Sequence, residues 1–72
     1  MTDTDILENF GKRVRMLREK GDWSQEEFAQ ECDLDRSYFG AVERGKRNLS
    51  LKNIERIAVA FDISVSELLE GI

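Results

Sequence analysis

A chain of 72 residues with a formal net charge of −4 is one domain at most, because so little apolar surface cannot build two useful cores. Its charged share of 36%, with no proline, suits a compact helical domain better than a disordered tail. One cysteine and no histidine exclude an intramolecular disulfide, a histidine-based zinc site and Ser-His or Cys-His nucleophilic pairs.

Further exclusions follow. Cys32 falls on the apolar side of a helical segment and reads as an inert core thiol. No apolar run is long enough to span a bilayer, and the N-terminal MTDTDILENF is acidic where a secretory signal is basic. The expectation is a cytoplasmic protein that is not an enzyme, with no cofactor and no metal.

The first helix is expected near residues 4 to 20. Ile6, Leu7, Phe10, Val14 and Leu17 recur at helical spacing, and Gly21 follows as a stop. Lys12, Arg13, Arg15, Arg18 and Lys20 fill the positions between them. Four more helices are expected near 24 to 32, 35 to 44, 50 to 61 and 64 to 70, each opened by the same device. A capping residue (Ser24, Asp35, Ser50, Ser64) follows an apolar side chain that packs on another inside the helix: Trp23 on Phe28, Leu34 on Phe39, Leu49 on Ile54 and Ile63 on Leu68. Ser24 with Glu27 and Ser64 with Glu67 also have capping-box spacing.

Only Asp33 and Leu34 separate Cys32 from the cap Asp35. The chain must turn sharply there, using a left-handed residue, which aspartate tolerates better than most. Ala29 is small enough to let the two helices approach. The result is a helix-turn-helix over about residues 24 to 44, inside one domain spanning 1 to 72. The expected fold is all-α, a compact five-helix bundle.

The stretch SQEEFAQECDLDRSYFGAVERGKRNLSLKNIERIA resembles the core of the phage-repressor-like (XRE-type) DNA-binding family, over about residues 7 to 69. Within that family, DRSYFGAVERGKRNLSL is most similar to controller proteins of restriction-modification systems. Asp33 stands where the family usually has glycine, and Leu49 where many members have proline. The resemblance implies that Arg36 and Ser37 read bases, that Gln25 holds a phosphate, and that Glu43 pairs with Arg18 inside the fold.

Charge is distributed unevenly. Residues 10 to 20 carry five cations against one anion, and residues 36 to 47 carry four against one, whereas 21 to 35 hold six anions and no cation. Local field rather than net charge governs docking of a polyanion, since exposed charges are screened beyond about 8 Å at physiological salt. The cations of the first helix lie all around it and read as a solvated face. Those of residues 36 to 48, grouped at a helix start and in the loop after its end, form the expected DNA surface.

In a helix-turn-helix the start of the second helix enters the major groove. Arg36, next to the cap, can give a guanine two parallel hydrogen bonds, and Ser37 suits a nearby base or phosphate. Ala41, one turn on, is expected to offer the groove an apolar contact. Tyr38 is open to three roles: a phosphate contact, which we favour, contact with a thymine methyl, or cover for the core. Gly40 fits close approach either of DNA or of the first helix. Arg44, Lys46, Arg47 and Asn48 are expected on backbone phosphates, with Arg47 also able to reach the minor groove. Gly45 reads as the helix stop.

One motif reads few base pairs, so a two-fold dimer is expected. Val59, Ile63, Val65, Leu69 and Ile72 exceed what the core needs and are assigned in part to a self-complementary interface, the alternative being a last helix that folds back on the core. No second domain for an effector is expected. The expected function is a homodimeric, sequence-specific transcriptional regulator on a roughly palindromic operator, with RNA polymerase as a candidate further partner. The resemblance points to a controller protein; a phage-type repressor, an antitoxin-type autoregulator and a protein-interaction module that lost DNA binding are the rivals.

Overall fold

The computed structural model describes residues 3–72, so the first two residues of the expected domain lie outside it. Five helices follow one another: α1 (Asp3–Lys20), α2 (Gln25–Glu31), α3 (Arg36–Glu43), α4 (Leu51–Ala60) and α5 (Val65–Leu68). There is no strand among the described residues.

All four expected caps form. Ser24, Asp35, Ser50 and Ser64 each accept a backbone N–H from the first turn of their helix. Glu27 and Glu67 close the two capping boxes, accepting the N–H groups of Ser24 at 2.9 Å and Ser64 at 3.1 Å. Helix α5 ends two residues earlier than expected. Beyond it the N–H groups of Glu70 and Ile72 bond carbonyls three residues back, and such tight turns cannot extend an α-helix.

The helix stops share a signal. Asp22, Asp33 and Asp62 all have left-handed φ, at 62°, 58° and 59°, and the next residue in each case sends its N–H five residues back: Trp23 to Arg18, Leu34 to Ala29 and Ile63 to Ala58. The tripeptides Asp22-Trp23-Ser24, Asp33-Leu34-Asp35 and Asp62-Ile63-Ser64 therefore close one helix and open the next. The middle apolar residue serves both ends. The first of these corrects an expectation: Gly21 follows α1, but Asp22 is the left-handed stop. The stop after α3 is Gly45, with φ 73°.

Phe28 of α2 sits at the centre of the core. It stacks on Phe61 at 4.1 Å between ring centres, tilts against Phe39 at 5.5 Å and meets the edge of Trp23 at 5.4 Å. Phe39, Val42, Val14, Ile57 and Leu68 are also fully buried, each contributing roughly 1.5–3 kcal/mol relative to an exposed side chain. Ile6, placed on the inward stripe by its spacing, is instead 47% exposed. It lies at the mouth of α1, on the rim of an apolar groove with Leu49, Leu69 and Ile72.

Helix α1 crosses the C-terminal end of α3 at very short range. A Cβ on Gly11 would stand 2.5 Å from the Glu43 carbonyl oxygen, and one on Gly45 would stand 2.8 Å from Glu8 Cα. These two glycines, not Gly40, admit α1. The same helix also secures α5: Arg13 donates to the carbonyls of Glu67 at 2.7 Å and Leu68 at 3.2 Å, satisfying oxygens that a helix C-terminus leaves open.

Candidate nucleic-acid interface

Helices α2 and α3 are joined by the short turn through Asp33, with Ala29 buried beneath it. The turn sets α3 so that its inward stripe, Phe39 and Val42, is buried while its start projects. Arg36 and Ser37 are both exposed. Asp35 fixes that start by accepting the N–H groups of Ser37 and Tyr38 and the Ser37 hydroxyl. Those bonds, the Ser37 hydroxyl first, hold the Asp35 carboxyl below the usual aspartate range. Ser37 therefore presents an oxygen whose proton is already committed, which makes it an acceptor toward the outside.

The far end of α3 is tied down. Arg18 of α1 grips the Glu43 carboxylate through Nε at 2.6 Å and Nη2 at 3.1 Å, and its Nη1 donates to the Trp23 carbonyl at 2.9 Å. The pair is nearly closed to solvent, with 11% of the Arg18 side chain and 4% of that of Glu43 exposed. The bond to Glu43 raises the guanidinium pKa against the opposing effect of burial. The expected pairing is present, and it joins α1 to α3.

Gln25 completes the knot. Its Nε2 donates to Glu43 Oε1 at 3.0 Å, so three helices meet at one carboxylate. The Gln25 amide is thereby held in a fixed pose over α3, where its Oε1 and Arg44 Nη1 would each stand 3.3 Å from a Cβ on Gly40. Gln25, Arg36, Ser37, Gly40 and Arg44 line an open concavity of about 250 Å³. Gly40 thus faces this hollow rather than α1, and the absence of a side chain lets Gln25 and Arg44 lie close to the helix.

Of its three expected roles, Tyr38 takes that of cover for the core. Its ring is half-buried against the core, while its hydroxyl oxygen accepts a bond from Asn53 Nδ2 at 3.1 Å. The Arg47 guanidinium lies over the ring, 5.4 Å from its centre, within the range of a cation–π contact. Arg44, Lys46, Arg47 and Asn48 are all exposed. Sequence reasoning missed Asn53, although its position three residues after the cap Ser50 is the one from which Glu27 and Glu67 fold back.

Ala41 requires a correction. The expected groove-facing residue is only 9% exposed, which leaves its methyl little surface to offer a groove. The interface candidates divide. Val59 is 70% exposed and Leu69 is also outward, whereas Ile63, Val65 and Ile72 are half-buried and packed on the core. Cys32 is buried, and burial pushes its thiol up to about 12, so it holds no thiolate at neutral pH. Among the described residues, no group of metal-ligating side chains gathers and no helix is long and apolar enough to cross a membrane.

An all-helical fold with an exposed, positively edged second motif helix defines a class, and the chain belongs to the helix-turn-helix family, whose model matches residues 14–68. Controller proteins stand among its relatives. The chain is 49% identical over 69 residues to the control protein C.MunI of a Mycoplasma species, covering 94% of this chain and 93% of that one. It is 48% identical over 62 residues to the control protein C.BamHI of Bacillus amyloliquefaciens, covering 85% and 76%. The crystal structure of the restriction-modification controller protein C.AhdI from Aeromonas hydrophila superposes with a TM-score of 0.82 at 52% identity, over 89% of this chain and 96% of that one.

Proposed function

We propose that this chain, acting as one domain, is a sequence-specific DNA-binding transcriptional regulator that serves as the control protein of a restriction-modification system. The observation that carries this reading is the exposed start of α3, with Arg36 and Ser37 projecting beside a concavity lined by Gln25 and Arg44. Arg36 reads a guanine edge, and Ser37 accepts from a neighbouring base. Gln25, Tyr38, Arg44, Lys46 and Asn48 hold phosphates on either side, while Arg47 reaches toward the minor groove. Controller relatives that cover nearly the same length support the particular role.

The molecule measures 32 Å along its longest axis, and it carries one such helix. Successive major-groove half-sites lie about 34 Å apart, so one copy reads one half-site and a roughly palindromic operator takes two. The outward Val59 and Leu69, flanked by Ile63 and Val65, supply the dimer face. RNA polymerase is the further partner of a regulator that activates, the cytoplasm is its location, and no catalytic step is involved.

Salt titration tests this reading. Contact with six or more phosphates lowers affinity about a thousandfold or more between roughly 50 and 200 mM salt. Binding to a duplex that stays flat over that range would leave the regulator reading without support.

A further inference from the structure

Three helices of this chain open with serine caps, and they do not use their third position alike. In α2 and α5 that position is glutamate, and Glu27 and Glu67 each fold back onto the N–H of their own cap. In α4 the position is Asn53. Its backbone N–H is taken by the Ser50 hydroxyl oxygen at 3.2 Å, but its side chain makes no return bond and reaches across to α3, where Nδ2 donates to the Tyr38 hydroxyl at 3.1 Å.

The polarity of that bond matters. A phenol has one proton to donate and lone pairs to accept with. Once Asn53 donates to the oxygen, the Tyr38 proton is directed away from Asn53. The Arg47 guanidinium rests above the same ring. We propose that Asn53 is a positioning residue of the DNA-binding face: by donating to Tyr38 it aims the phenolic proton at a phosphate oxygen of the duplex. The inference rests on the regulator reading and adds to it a residue that touches no DNA itself. Acceptance of one hydrogen bond also polarises the hydroxyl as a donor, so the fixed direction and the stronger donor act together.

Tyr38 is the only tyrosine in the chain, which makes its Raman Fermi doublet a direct report on whether the hydroxyl accepts or donates. The affinity probe is a duplex enriched by the wild-type protein from a random-sequence library. Tyr38→Phe is expected to weaken binding about tenfold and Asn53→Ala about threefold, with the double variant no weaker than Tyr38→Phe within about twofold. In the free protein, the acceptor signature of the doublet is expected to disappear on Asn53→Ala. Losses that multiply to about thirtyfold, an Asn53→Ala variant of unchanged affinity, or a doublet indifferent to Asn53 would each overturn the proposal while the wild type still binds. A wild-type protein that enriches no duplex would instead sink the regulator reading, and the Raman arm separates that failure from this one.

Discussion

Two cationic clusters lie on this chain, and the fold treats them in opposite ways. The five cations of α1 are the denser group in sequence, yet Arg18 grips Glu43, Arg13 caps the carbonyls of α5, and Arg15 pairs with Glu19 at 3.4 Å. Arg36, Arg44, Lys46 and Arg47 form no salt bridge among the described residues; Arg47 rests on the Tyr38 ring and Arg44 lies along α3 at Gly40. What separates the two clusters is that α1 crosses the motif and α5, whereas the start of α3 and its following loop stand at an edge. Bonding inside the fold commits Arg13 and Arg18, whereas Arg36, Arg44, Lys46 and Arg47 stay exposed, as do Lys12, Arg15 and Lys20 of α1.

This contrast is most sharply broken at Arg18. Arg18→Ala leaves the Glu43 carboxylate buried without its partner and is expected to destabilise the fold by about 3–5 kcal/mol, read by chemical denaturation. Arg36→Ala is expected to leave stability within about 0.5 kcal/mol. If the two variants melt alike, the division between committed and available cations is wrong.

The glycines sharpen the same contrast sterically. Gly11→Ala drives a methyl into the backbone of α3 and is expected to cost about 1–3 kcal/mol of stability. Gly40→Ala meets no backbone, only the ends of the Arg44 and Gln25 side chains at 3.3 Å, so the roughly 1 kcal/mol of helix propensity is offset by the strain on the Gln25 bond to Glu43, and its cost in stability is expected to be well below that of Gly11→Ala. It should weaken DNA binding by displacing both side chains. Paired melting and binding curves check that the first glycine moves stability and the second moves affinity.

On the available side, loss of a paired guanine contact in Arg36→Ala is expected to remove about 1–3 kcal/mol of discrimination between matched and mismatched duplexes. Lys46→Ala should instead weaken binding to every sequence and lower the magnitude of the salt slope by about one. A Lys46→Ala variant that changed base preference would move that residue from backbone to base.

The smallest effect concerns pH. The folded pKa of Asp35 lies below its ordinary value, so its share of stability is full above about pH 3.9, the unfolded value, and is lost as pH falls through the lower folded value. An asparagine caps a helix about as well as an aspartate and does not titrate. Asp35→Asn should therefore change little at neutral pH and flatten the acid limb of unfolding curves.

Much of the fold is legible because it is written locally. Four caps, two capping boxes, the apolar pairs that place Phe28 and Phe39, and the helical spacing of Phe10 and Val14 act over fewer than eight residues, and each appears where the pattern puts it. The left-handed aspartates at 22 and 62 are equally local. They escape a reading of single positions because the Asp-apolar-cap tripeptide becomes a signal only through its repetition. At the candidate site, the exposure of Arg36 and Ser37 follows from their place beside the cap. The burial of Ala41 and the exposure of Ile6 do not follow from helical spacing, and the reach of Asn53 depends on Tyr38, 15 residues away.

The sequence by itself determined where helices begin and end, which stripe of each is apolar and where charge concentrates, because capping bonds and helical periodicity operate between near neighbours. Only the tertiary structure decided which cations remain available, which glycine admits α1 and which side chain reaches Tyr38. Those outcomes depend on partners 15 to 55 residues away along the chain, brought within bonding distance by the packing of α1 and α4 against the motif.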